Sequence, residues 1–176
     1  MQRGAVFDLA RLYRYSLWRG WSTNHPQITF IMLNPSTADD QCDDPTVRRC
    51  IGFAQAWEFG SLEVVNLFAY RAICPFELSR VADPIGAEND HFLLQAIKRS
   101  ACTVAAWGVH GRLLGRSQQV LYLLGSHPDI HCLGFTKDGH PRHPLYLKGD
   151  TRLVRLTSFR QERVMQRSGS RSCTAS

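Results

Sequence analysis

Glycine-rich phosphate loops are missing from this chain of 176 residues. It contains no G-x-G-x-x-G, no Walker lysine motif and no G-x-S-x-G elbow. Their absence removes the usual dinucleotide-binding, P-loop and serine-esterase readings. No run approaches eighteen apolar residues, so no membrane-spanning helix is expected. The first residues, MQRGAVFDLARLYRYSLW, interrupt their apolar positions with Asp8, Arg11 and Arg14. That pattern lacks the apolar centre of a secretory signal, and a cytoplasmic location is the default expectation. The six cysteines (Cys42, Cys50, Cys74, Cys102, Cys132 and Cys173) form no C-x-x-C pair. They read as reduced thiols, Cys102 and Cys132 as small core residues, and no metal or other cofactor is expected.

Basic residues outnumber acidic ones, 21 to 15, for a net charge of +6. The excess is local: from Arg152 to Ser176 there are six arginines and one glutamate. The rest of the chain is close to neutral. Basicity therefore belongs to a tail and argues only weakly for nucleic-acid binding by the domain. Residues 159–176 have few large apolar groups and many arginines and serines, a composition expected to be disordered. Residues 1–158 are expected to form a single α/β domain.

The chain is organised around Ile28 to Ser36, ITFIMLNPS, an uncharged apolar run stopped by Asn34-Pro35-Ser36. It reads as a buried central strand opening onto a site. Arg14 to Trp21 alternates polar and apolar residues, as an edge or lead-in strand does. Further buried strands are expected at Leu62–Phe68, Cys102–Trp107 and Ile130–Leu133. Helices are expected at Pro45–Phe59, Ile85–Ser100 and His110–Leu124. Asp44-Pro45 and Asp83-Pro84 are start signals, and Gly60 would close the first helix. Apolar strands separated by helices predict a three-layer α/β sandwich around a mostly parallel, four-stranded sheet.

Ligands of open α/β sheets bind beyond the carboxyl ends of the strands. Four polar positions fall at such ends: Asn34, Asn66, His110, and the loop containing His140, Arg142 and His143. Each has a plainer role available. Asn34 suits a turn before proline, Asn66 a structural hydrogen bond, and His110 a helix start. Two histidines and an arginine in the proline-stiffened GHPRHP loop point more firmly to ligand contact. Ser36 as a nucleophile lacks the glycines of a strained elbow. A metal at Asp138, His140 and His143 lacks diagnostic spacing. The acidic residues Asp39, Asp40, Asp43 and Asp44 suit a solvated loop and a helix cap.

Three stretches, LNPSTAD (Leu33 to Asp39), NLFAYRA (Asn66 to Ala72) and GHPRHPLYLK (Gly139 to Lys148), resemble a largely bacterial family known as domain of unknown function 1643. The family brings no activity with it. More distantly, the order of strands and motifs is similar to the uracil-DNA glycosylase superfamily. That resemblance implies a glycosylase-like sheet and a protein that recognises a nucleobase in nucleic acid or nucleotide, hydrolysing its N-glycosidic bond. It implies Asn34 as the group orienting water, with Pro35 and Ser36 beside it. It implies Asn66 as reader of the base edge and His143 as stabiliser of the leaving base. His140 and Arg142 would support the loop or contact phosphate, and Phe68, Tyr70 or Tyr146 would stack on the base. Two departures stand out: an amide replaces the expected carboxylate at Asn34, and Leu145 replaces the serine of the last motif. A non-catalytic nucleotide- or nucleic-acid-binding module and a metal-assisted hydrolase using His140 and His143 are the alternatives. The oligomeric state is open.

Overall fold

The computed structural model describes residues 1–125 and 129–156. The expected disordered tail, residues 159–176, lies outside the described residues. Strands β1 (Gln2–Phe7), β2 (Arg14–Gly20), β3 (Gln27–Met32), β4 (Ser61–Asn66), β5 (Cys102–Ala105), β6 (Ile130–Cys132) and β7 (Val154–Arg155) form one sheet. Helices α1 (Pro45–Ala56), α2 (Asn89–Arg99) and α3 (Arg116–Leu124) complete the main elements. The sheet runs in the order β1-β2-β4-β3-β5-β6-β7. The four inner strands are mutually parallel, while β2 on β4, β1 on β2 and β7 on β6 are antiparallel. The architecture is thus α/β, as expected, but the sheet is mixed and seven-stranded rather than four-stranded. Both edge strands, β1 and β7, escaped the sequence pattern because they carry mostly exposed or half-buried residues.

Side chains of β3 alternate between two cores because successive strand residues point to opposite faces. Ile28, Phe30 and Met32 pack with Val47, Ile51 and Phe53 of α1. Ile31 and Leu33 pack with Leu93 and Ile97 of α2 and with Val120 of α3. Burial on both faces explains the uninterrupted apolar run. Among the described residues, no helix is long and apolar enough to cross a membrane.

Local differences from expectation have local causes. Asp44 caps α1 as expected, its Oδ1 accepting from the Val47 N–H at 2.8 Å. Asp83 instead accepts from the Ile85 and Gly86 N–H groups at 3.0 Å each, forming a turn; α2 starts later, at Asn89. The segment expected as one helix from His110 breaks at Leu114 and Gly115, both at positive φ, and α3 begins at Arg116. Gly60 does not close α1, whose cap is Trp57.

Gly60 is required for close approach. A Cβ there would lie 2.2 Å from the Ser22 carbonyl oxygen and 2.8 Å from that of His25. Both are backbone atoms, and Gly60 is itself tied in by hydrogen bonds to Pro26 and Trp21. Gly60→Ala should therefore lower stability by about 1–3 kcal/mol, read as a lower urea midpoint. A variant melting like the wild type would show that the Ser22–His25 turn yields.

Candidate functional site

The parallel strands β3, β4, β5 and β6 deliver their carboxyl ends to one side of the sheet. A cavity of about 620 Å³ opens there, within the roughly 300–1,000 Å³ typical of small-molecule sites. Asn34 and Ser36 reach it from the loop after β3, and Asn66 from the end of β4. Trp107, Gly108 and His110 follow β5; Arg142, His143 and Tyr146 follow β6. Of the positions singled out from sequence, the structure thus brings together Asn34, Ser36, Asn66, His110, Arg142, His143 and Tyr146. Pro35, Phe68 and His140 do not line the cavity. Phe68 is fully buried in the core against α2. The Pro35 carbonyl accepts from the Ala72 N–H, and the His140 N–H donates to Thr136 Oγ1 at 3.1 Å.

Asn34 joins the loops that follow β3 and β4. Its Nδ2 donates to the carbonyls of Pro35 at 2.9 Å and Ala72 at 2.8 Å. That leaves Oδ1 as the atom able to engage a ligand or water. The His-Pro loop is held closed by Gly108, whose N–H donates to the Pro141 carbonyl at 3.0 Å. Gly108 has φ +72°, and a Cβ there would sit 3.5 Å from the His143 Cβ. The backbone conformation favours glycine, while the contact with His143 is of ordinary van der Waals length.

His143 is half-buried. Its Nδ1 accepts from the Leu145 N–H at 3.3 Å, which assigns the ring proton to Nε2. Burial pushes its pKa down, and the nearby Asp44 carboxylate opposes the shift only in part. At neutral pH His143 is therefore an uncharged Nε2–H donor. Because the folded pKa is depressed, its stability contribution is full above the ordinary imidazole value of 6.5. The contribution is lost as pH falls from that value through the folded one. Ring nitrogen shifts at pH 7 should report the neutral Nε2–H form. The acid-side fall in stability should be smaller in His143→Gln, which cannot titrate. An imidazolium signal at pH 7 would reverse both expectations.

Arg14, Trp107 and Asp44 also line the cavity and are not among the site residues singled out from sequence. Arg14, at the start of β2, is 2 % exposed. It donates from Nη1 to the Ala38 carbonyl at 2.7 Å and from Nη2 to Asn66 Oδ1 at 3.5 Å. No carboxylate is salt-bridged to it among the described residues. Desolvation brings its pKa down to about 10, with Asp44 opposing the fall, so it is still a cation at neutral pH. Trp107 is 2 % exposed. Asp44, the helix cap, is the one carboxylate in the lining among the described residues. Its Oδ1 is engaged by the helix, leaving Oδ2 available. The start signal Asp-Pro revealed its structural role and concealed this second placement.

The cavity is also short of acceptors. Arg14 Nε, Asn66 Nδ2 and Trp107 Nε1 are buried without a hydrogen-bond partner among the described residues. A buried donor left unpaired costs about 1–3 kcal/mol, which a ligand can recover. Among the described residues, no group of three His, Cys, Asp or Glu side chains is placed to hold a metal ion.

The chain belongs to the family described as protein of unknown function (DUF1643), whose profile matches residues 14–145 and so takes in Asn34-Pro35, Asn66 and His143-Pro144. No curated protein and no solved structure matches it.

Proposed function

We propose that this member of the family recognises a nucleobase, in nucleic acid or nucleotide, and hydrolyses its N-glycosidic bond. The observation that carries the reading is the convergence of Asn66, His143, Asn34 and Asp44 on one cavity large enough for a base. The motif resemblance to uracil-DNA glycosylases supports it, as does the α/β sheet with its parallel centre.

The chemistry assigns each group a distinct task. Asn66 offers an amide donor to the base edge. Asn34 Oδ1 orients a water, and Asp44 Oδ2 takes the proton that water loses. Oxygen bonds to the sugar carbon as the carbon–nitrogen bond breaks, and the electron pair leaves with the base. His143 Nε2–H donates to the charge developing there. Asp44 answers the departure noted at Asn34: an amide in the first motif can orient water, while the carboxylate comes from the following helix cap. Tyr146, exposed at the rim, is the aromatic placed to stack on an extruded base.

A second reading, a binding module without catalysis, is favoured by one observation: the Asn34 amide nitrogen is already committed to two carbonyls. The metal-assisted alternative has less support, because His140 is outside the lining. Incubation with oligonucleotides bearing uracil, other deaminated bases or mismatches separates the first two. Abasic sites revealed by alkaline cleavage are the expected result. Binding without release would favour the module. Neither binding nor release, with oligonucleotides or nucleotides, would overturn the proposal.

A further inference from the structure

We infer that Arg14, Asn66 and Trp107 form an acceptor-selecting subsite at the base of the cavity, which takes a ligand edge carrying only oxygen or nitrogen acceptors, anionic oxygen above all. All three side chains line the same cavity and are almost fully buried, Asn66 at 1 % exposure. Each keeps one nitrogen donor without a partner among the described residues. The Asn66 orientation is not arbitrary: Oδ1 is turned to the Arg14 guanidinium, leaving Nδ2 as a donor. Both of the remaining unpaired atoms, Arg14 Nε and Trp107 Nε1, are obligatory donors. A ligand presenting a donor to this floor would leave buried N–H groups facing one another. A ligand presenting acceptors pairs them and places negative oxygen beside a buried cation.

The inference deepens the nucleobase reading and rests on it only where the acceptor is a base carbonyl. The same chemistry would take a phosphate oxygen. Inosine, adenosine and inorganic phosphate distinguish these sources. The O6 and N7 of inosine both accept, whereas adenosine presents a donor amine beside N7. Each probe is titrated calorimetrically into the full chain and into Asn66→Asp. That substitution keeps the side-chain shape but exchanges the free donor for an acceptor and neutralises Arg14. Arg14→Gln serves as a second variant, and melting curves confirm that both remain folded.

Inosine should bind about tenfold or more tightly than adenosine, and Asn66→Asp should lose that preference. Phosphate binding that Asn66→Asp abolishes, with neither nucleoside bound, would support the subsite as a phosphate site and not as a site for a base carbonyl. Adenosine binding as tightly as inosine, without phosphate binding, would overturn the subsite and leave the base reading intact. Acceptor probes that bind folded Asn66→Asp and Arg14→Gln as tightly as wild type would place binding elsewhere and overturn the inference. No binding by any probe would overturn the subsite, while the base reading is decided by the oligonucleotide assay.

Discussion

If the chain is the N-glycosidic hydrolase proposed above, His143→Ala should lower base release by about 10²–10³-fold, with kcat falling far more than KM rises. The size follows from when the imidazole acts. In the proposed reaction its Nε2–H would meet little charge in the bound ground state and a full developing anion as the glycosidic bond breaks. Groups of this kind contribute to the transition state more than to binding. The donor is held in place before the reaction: Nδ1 accepts from the Leu145 N–H, Pro144 stiffens the turn, and Gly108 anchors Pro141. Because His143 is neutral at neutral pH, the loss should not track imidazole protonation above pH 7. His143→Gln retains a donor on a side chain of similar reach and should recover part of the rate. Single-turnover release from a substrate oligonucleotide is the measurement. Release that survives His143→Ala undiminished would remove the residue from the mechanism.

The sequence made the centre of this fold legible because the parallel strands are buried on both faces. An unbroken run such as Ile28 to Leu33 has no surface role to suggest, and its neighbours at Leu62 and Cys102 read the same way. Edge strands face solvent, so β1 and β7 present no such run. The site divides along the same line. Asn34, Asn66 and His143 interrupt apolar or proline-rich stretches, where a polar residue invites explanation. Arg14 sits in an alternating strand among tyrosines and serine, and nothing local marks its guanidinium as buried. Trp107 merges into the apolar end of β5. Asp44 carries a complete local explanation as a helix cap, which hides its contribution to the cavity. These three become visible only when β2, α1 and β5 meet, since their significance lies in what they face across the sheet.

The second large effect concerns the loop that supplies Asp44. Arg19, on β2, is 0 % exposed, and its guanidinium gathers chain from three places. It pairs with Asp43 at 2.7 Å, donates to the Asp39 carbonyl at 2.6 Å and to the Trp18 carbonyl at 2.8 Å, and reaches the Gly4 and Cys42 carbonyls at 3.4 Å. One side chain thereby fastens β1, β2 and the acidic loop together. Arg19→Met removes the cation and leaves Asp43 and several carbonyls without their donor. Breaking a buried pair from one side costs about 3–5 kcal/mol, a large share of a stability that for most domains is only about 5–15 kcal/mol. Lysine cannot restore it, because an ammonium lacks the planar set of five donors. Asp43→Asn should cost less, since the carbonyl contacts survive. The loop also presents the Ala38 carbonyl to Arg14, so loosening it releases the cavity wall that holds Asp44 and the floor that holds Arg14. Ligand affinity should then fall in Arg19→Met even under conditions where the protein remains folded. Chemical denaturation of Arg19→Met, Asp43→Asn and the double variant measures the coupling. Additive losses, or a loss below about 1 kcal/mol for Arg19→Met, would mean that the acidic loop is held by other contacts and that Asp44 reaches the cavity without help from β2.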